Sequence, residues 1–139
     1  MIYLTRRATF SASHYYWNKA WTAEKNEQVF GRCANCNGHG HNYTLEVTVA
    51  GEPAPVTGFV VDLKWLKDAI EREVLAAWDH RHLNLEAPEF AAAIPTTENI
   101  AIAAWNRLEP AVTAAGGAQL SRVRVYETPD IFAEYRGES

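Results

Sequence analysis

"HGHNYTLEVTV", residues 39–49, alternates without interruption: His39, His41, Tyr43, Leu45, Val47 and Val49 share one parity, and Asn42, Thr44, Glu46 and Thr48 share the other. A period of two marks a strand with one face covered and one face wet. Residues 2–14 repeat the pattern. Ile2, Leu4, Ala8, Phe10 and Ala12 fall on one side, Tyr3, Thr5, Arg7, Thr9, Ser11 and Ser13 on the other, and Arg6 is the one misfit. Between these strands, residues 15–38 keep no period and end among Asn and Gly, which predicts a long loop with a helical turn.

Downstream, "GEPAP" (51–55) supplies a turn, and "VTGFVVD" (56–62) reads as a third, short strand. Asp62 is placed to cap a helix over 63–78, in which Leu63, Leu66, Ile70, Val74 and Ala77 trace the apolar stripe. A second helix starts at "PTTEN" (95–99), capped by Thr96 or Thr97, with Glu98 in its first turn. Ile100, Ala104, Leu108 and Val112 form its buried face, Pro110 is a point of kink or early termination, and Gly116 and Gly117 end it. "LSRVRVYE" (120–127) is a last strand, with Val123, Val125 and Glu127 opposed to Arg122, Arg124 and Tyr126. Strands and helices in this order, with no βαβ alternation, predict an α+β fold: an antiparallel sheet with two helices packed on one face. At 139 residues this is one domain, 1–139.

Parity then places chemistry. His39 and His41 stand two apart, so both imidazoles lie on the apolar side of their strand. His14 does the same on the first strand, in phase with Phe10 and Ala12. If the two strands are neighbours, three imidazoles converge and leave one coordination position open, the pattern of a catalytic zinc. The rival set, Cys33, Cys36, His39 and His41, would be a closed structural site. It ranks second, because four ligands within nine residues lack the second half-motif such sites use. Glu127 is either on the inner face, where an ionised carboxylate needs a partner, or solvated at a strand end. Asp79, beside His80 and near His82, can orient an imidazole for proton exchange.

Composition removes other classes. With 47% hydrophobic and 22% charged residues the chain is an ordinary globular protein. A formal charge of −4 without a Lys/Arg run argues against a nucleic-acid partner. "MIYLTRRATF" (1–10) lacks the apolar core of a signal peptide, and no stretch is long enough to span a bilayer, so the expected location is cytoplasmic with no membrane partner. Two cysteines are too few for a disulfide scaffold and read as ligands or reactive thiols.

Six segments together resemble the 6-pyruvoyl-tetrahydropterin synthases and the related 6-carboxytetrahydropterin synthases of the pathway to queuosine. They are "FSASH" (10–14), "FGRCANCNGHGHNY" (30–43), "VTGFVVDL" (56–63), "DHRHLN" (79–84), "PTTEN" (95–99) and "VYET" (125–128), in the family's order and spacing. The resemblance implies the tunnelling fold, a four-stranded antiparallel sheet with two helices. It further implies a hexamer of two stacked trimers with active sites between subunits. It implies zinc held by His14, His39 and His41, Cys33 as general base, Asp79 and His80 as partners in proton transfer, and Glu127 as the pterin anchor, with Thr97 and Glu98 as further pterin contacts. The implied substrate is 7,8-dihydroneopterin triphosphate, converted to 6-pyruvoyl-tetrahydropterin on the way to tetrahydrobiopterin, or to the 6-carboxy product with release of acetaldehyde. Cys36 stands where vertebrate-type relatives have proline, so two thiols compete for the role of base, and His82 competes with His80. A non-catalytic module stapled by zinc is the alternative from another class. Lys19, Lys25 and Arg32 are candidates for holding a triphosphate.

Overall fold

Two long strands set the architecture. β1 (Ile2–His14) and β2 (His39–Gly51) pair antiparallel along their whole length, from Ile2 opposite Gly51 to His14 opposite His39. A computed structural model describes residues 1–138; Ser139, the last residue of the expected domain, lies outside the described residues. β3 is only Arg81–His82 and joins the free side of β1 in parallel. β4 (Ala118–Thr128) pairs antiparallel with β2, and β5 (Ile131–Tyr135) with β4, giving the order β3-β1-β2-β4-β5.

The four-stranded antiparallel sheet is therefore present, but its fourth strand is β5, and residues 56–62 are not in the sheet. That segment closes on itself: Ala54 N–H donates to the Phe59 carbonyl at 2.9 Å and Gly58 N–H to the Ala54 carbonyl at 2.6 Å. Val56 is left 96% exposed, so the apolar run marks a surface turn whose end, Val60 and Val61, packs against the core. The loop between β1 and β2 holds more order than its sequence showed. Thr22 caps a helix α1 (Ala23–Phe30), and a 3-10 turn, Gly31–Ala34, follows it directly.

Helix α2 runs over 63–78 as expected. Asp62 accepts from Lys64 N–H at 2.9 Å to start it. A wide π turn, Glu71–Leu75, interrupts its α-helical parts, Leu63–Ile70 and Ala76–Trp78. The irregular backbone meets a donor, since Arg107 Nη1 bonds the Glu73 carbonyl at 3.2 Å. A short helix α3 (Leu83–Glu86) precedes α4 (Thr97–Ala115), which Thr96 caps by accepting from Asn99 N–H at 3.2 Å. Pro110 lies inside α4 without ending it. It removes the donor for the Asn106 carbonyl, and both residues face water, where solvent satisfies the freed acceptor.

Both long helices lay their stripes on the same side of the sheet. Leu66, Ile70, Val74 and Trp78 from α2, and Ile100, Ala104, Leu108 and Val112 from α4, are buried with Phe10, Tyr43, Leu45, Val47, Val49, Val123 and Val125. Full burial of each aliphatic side chain contributes about 1.5–3 kcal/mol. Leu45→Ala, at the centre of this layer, is expected to lower the unfolding free energy by about 2–5 kcal/mol in urea denaturation. Val56→Ser, in the surface turn, is expected to change it by no more than about 0.5 kcal/mol.

Candidate active site

Because β1 and β2 end in register, His14 faces His39 and Ala12 faces His41 across the ladder. All three imidazoles emerge on the covered side. Their ligand nitrogens lie within 4.8 Å of one another and can hold a metal ion; the group contains neither cysteine. His14 is fully buried, and its protonation is set by its neighbours. Nδ1 stands 2.8 Å from the Pro95 carbonyl, which can only accept, so the proton is on Nδ1 and the Nε2 lone pair faces the cluster. The Tyr43 hydroxyl lies 3.1 Å from the same Nδ1.

The donor set fits zinc. His14 Nε2 and His39 Nε2 are 3.2 Å apart, close to the ~3.3 Å separating two nitrogens bound tetrahedrally at about 2.0–2.1 Å. His41 Nε2 is buried with no hydrogen-bond partner, which is costly unless a ligand meets it. Burial, and then the neighbouring imidazoles, lower the pKa of His14 to about 4, so it is neutral at physiological pH as a ligand must be. Burial also lowers His41.

Glu127 is on the inner face, not in solvent. Its side chain is 15% exposed, with Oε1 3.5 Å from His14 Nε2 and 3.4 Å from His41 Nε2. The Tyr16 hydroxyl donates to it at 3.4 Å. Cys33, half-buried in the 3-10 turn, shares this environment: burial first, and then the Glu127 charge, raise its thiol pKa. Cys36 is exposed and lines a separate cavity with Tyr15, Trp17 and Arg32. Thr97 is buried at the start of α4, and Glu98 is exposed beside it, close enough for its charge to act on Tyr16.

Asp79 and His80 form a pair, with His80 Nδ1 3.0 Å from Asp79 Oδ1. Asp79 also accepts from Ser11 N–H at 2.9 Å, and that bond, ahead of His80, holds its carboxyl below the usual range. His80 has φ +62°, a left-handed backbone, and its N–H bonds the Ser11 carbonyl at 2.6 Å. His80 is 83% exposed and lines a surface cavity with Ser11, Ser13, Asn42, His82 and one of the three converging histidines, His41. Among the described residues no hydrogen bond joins Cys33 to Asp79 or His80. His82 has another position: its ring packs on Tyr15, and both nitrogens are enclosed. A Cβ on Gly38 (φ +78°) would stand 3.0 Å from His82 Nε2 and 3.1 Å from the His14 carbonyl, so the turn entering His39 needs glycine.

The sequence reading missed Tyr16, Tyr43 and the Pro95 carbonyl. Tyr43 shares parity with His41 and was within reach of the same argument. Tyr16 sits in an aperiodic loop, and a backbone acceptor leaves no signal. Of the cationic candidates, Lys19 reaches the Ala91 carbonyl at 3.4 Å and Lys25 lies 4.5 Å over the Trp21 ring.

The depressed His14 pKa fixes a pH dependence. Below pH 6.5 the unfolded chain protonates this imidazole, whereas the folded chain refuses the proton until about pH 4. Stability of metal-free protein is therefore expected to fall on acidification from 6.5 toward 4, and to rise with pH across the same window. Urea midpoints of chelator-treated protein against pH measure this, and His14→Asn is expected to flatten the slope.

Comparison with known proteins matches this geometry to a family. The family profile for 6-pyruvoyl tetrahydropterin synthase matches residues 3–138. The human 6-pyruvoyl tetrahydrobiopterin synthase is 42% identical over 135 residues, covering 97% of this chain and 91% of that protein. A 6-carboxy-5,6,7,8-tetrahydropterin synthase of Rickettsia felis is 28% identical over 150 residues, covering 96% and 99%. The solved structure of the Caenorhabditis elegans 6-pyruvoyl tetrahydropterin synthase superposes with a TM-score of 0.92 at 34% identity, covering 99% of this chain and 96% of that one. With the tunnelling fold, the converging histidines and a match along nearly its whole length, the chain belongs to the 6-pyruvoyl tetrahydropterin synthase family.

Proposed function

We propose that this protein is a zinc-dependent carbon–oxygen lyase that converts 7,8-dihydroneopterin triphosphate to 6-pyruvoyl-tetrahydropterin with loss of triphosphate. The observation that carries the reading is the convergence of three imidazoles beside one inward carboxylate. His14, His39 and His41 would hold the metal. When bound, zinc supplies a Lewis acid that polarises the substrate's side-chain oxygens and makes the adjacent C–H bond more acidic.

The chain's own residues do the rest. Glu127 accepts the N–H edge of the pterin, a charge-assisted pairing that justifies a carboxylate in so dry a place. Thr97 and Glu98 complete the pterin contacts. Cys33 takes the proton as thiolate; a ligand donating to Glu127 offsets one of the two causes that hold its pKa up. Asp79 orients His80, and the pair passes the proton onward. The exposure of His80, and the lack of any hydrogen bond joining it to Cys33 among the described residues, support a site completed across a subunit boundary in a hexamer of two stacked trimers. The reaction is an internal redox rearrangement, so no external reductant is called for.

The Rickettsia felis relative favours a second reading, in which the product is 6-carboxy-tetrahydropterin. The organic fragment decides between them. Protein incubated with zinc and dihydroneopterin triphosphate is expected to release triphosphate and no acetaldehyde; acetaldehyde would establish the 6-carboxy reaction.

Cys33→Ala is expected to lose about 100-fold or more in turnover, the scale of a lost proton-transfer group, while its zinc content and melting temperature stay unchanged. His14→Ala is expected to lose zinc. Equal zinc loss in Cys33→Ala and Cys36→Ala, with none in His14→Ala, would instead identify a cysteine-stapled module.

A further inference from the structure

The helix-free face of the sheet is ordered in rows that cross the strands. In one row Arg7, Glu46, Arg124 and Glu134 stand opposite one another on β1, β2, β4 and β5, so the signs alternate. Every member is bonded. Arg7 Nη2 reaches Glu46 Oε2 at 2.6 Å, Arg124 Nη2 reaches Glu134 Oε1 at 2.7 Å, and Arg136 Nε reaches Glu134 Oε2 at 2.7 Å.

The neighbouring row differs. It holds Thr5, Thr48 and Arg122, with the two threonine hydroxyls 2.7 Å apart and no carboxylate. Arg122 is 25% exposed at its side chain, and its Nε is enclosed without a partner. Among the described residues its guanidinium makes no hydrogen bond. The nearest carboxylate oxygens, Glu134 Oε1 at 3.7 Å and Glu46 Oε1 at 3.8 Å, stand at ion-pair distance but beyond hydrogen-bond range. On this patch four arginines face two glutamates. The terminal nitrogens of Arg122 make only long ion-pair contacts with these two carboxylates, and its enclosed Nε–H is without a partner, the costly state that a ligand would relieve.

Space for a ligand adjoins it. Tyr3, Thr5, Thr48, Ser121, Arg122 and Arg136 line a surface cavity of about 340 Å³. We propose that this cavity is an anion site for a phosphate group, either free phosphate or the phosphoryl end of a larger molecule. Arg122 is the anchor. Arg136 contributes from the rim, where its side chain is 73% exposed. Ser121 and one of the paired threonines each have a hydroxyl proton to donate, the other threonine's being used in their mutual bond. Charge balance selects the ligand class: a phosphate dianion matches the excess of two arginines and uses the guanidinium fork, whereas a carboxylate offsets only one of the two charges.

The site is independent of the pterin reading, because Arg122 has the opposite parity on β4 to Val123, Val125 and Glu127. Calorimetric titration of the protein as purified, at fixed ionic strength, with inorganic phosphate and separately with tripolyphosphate, tests it. Saturable binding is expected, weakened at least about tenfold in Arg122→Gln and less in Arg136→Gln. Arg122→Lys is expected to fall between wild type and Arg122→Gln, with circular dichroism confirming that each variant is folded. His41→Ala is expected to bind as wild type. Tighter binding of tripolyphosphate than phosphate would identify the phosphoryl tail as the source, and equal binding the free ion. No saturable binding of either anion, undiminished affinity in Arg122→Gln, or loss in His41→Ala alone would overturn the proposal.

Discussion

The β1–β2 ladder is the constraint on which the rest depends. A strand's side chains alternate, so pairing Ile2 with Gly51 at one end determines that His14 meets His39 at the other. A slip by one residue would turn every inward group of one strand outward. The apolar residues between the ends make that slip prohibitive, because on β2 alone Tyr43, Leu45, Val47 and Val49 would all enter water. Register, and hence the convergence of the three histidines, is enforced by hydrophobic burial along the strands rather than by the histidines themselves.

What the sequence revealed follows from this. Periods of two and of 3.6 announce β1, β2, β4, α2 and α4, since each has one covered face. The three histidines were readable because they continue those periods; Glu127 continues one too, but at a strand end the period left an inner and a solvated carboxylate equally open. Three features were not. Residues 56–62 carry the composition of a strand but bond locally, and composition does not report hydrogen-bond partners. β5 is half-exposed on both sides, so it has no clean alternation to read. The location of Asp79 and His80 depends on a corner bonded to Ser11, a contact 68 residues away in sequence that no local pattern encodes.

The two faces of one sheet solve opposite electrostatic problems. On the covered side, charge is suppressed: His14 is held neutral, the Cys33 thiol is held protonated, and one carboxylate remains. An arriving cation or hydrogen-bond donor therefore changes the protonation balance of several groups together. On the open side, charge is abundant and mostly cancelled row by row. Cross-strand pairs of opposite sign contribute about 0.2–1 kcal/mol each and hold the polar surface in one arrangement.

His80 carries a tension of its own. A left-handed backbone at a residue with a Cβ costs about 1–2 kcal/mol, and glycine would remove that cost. Glycine would also delete the imidazole that Asp79 holds. Robustness and the proposed proton transfer thus pull this position in opposite directions, and any engineering that ranks substitutions by thermal tolerance alone will favour erasing the side chain that the proposed chemistry uses.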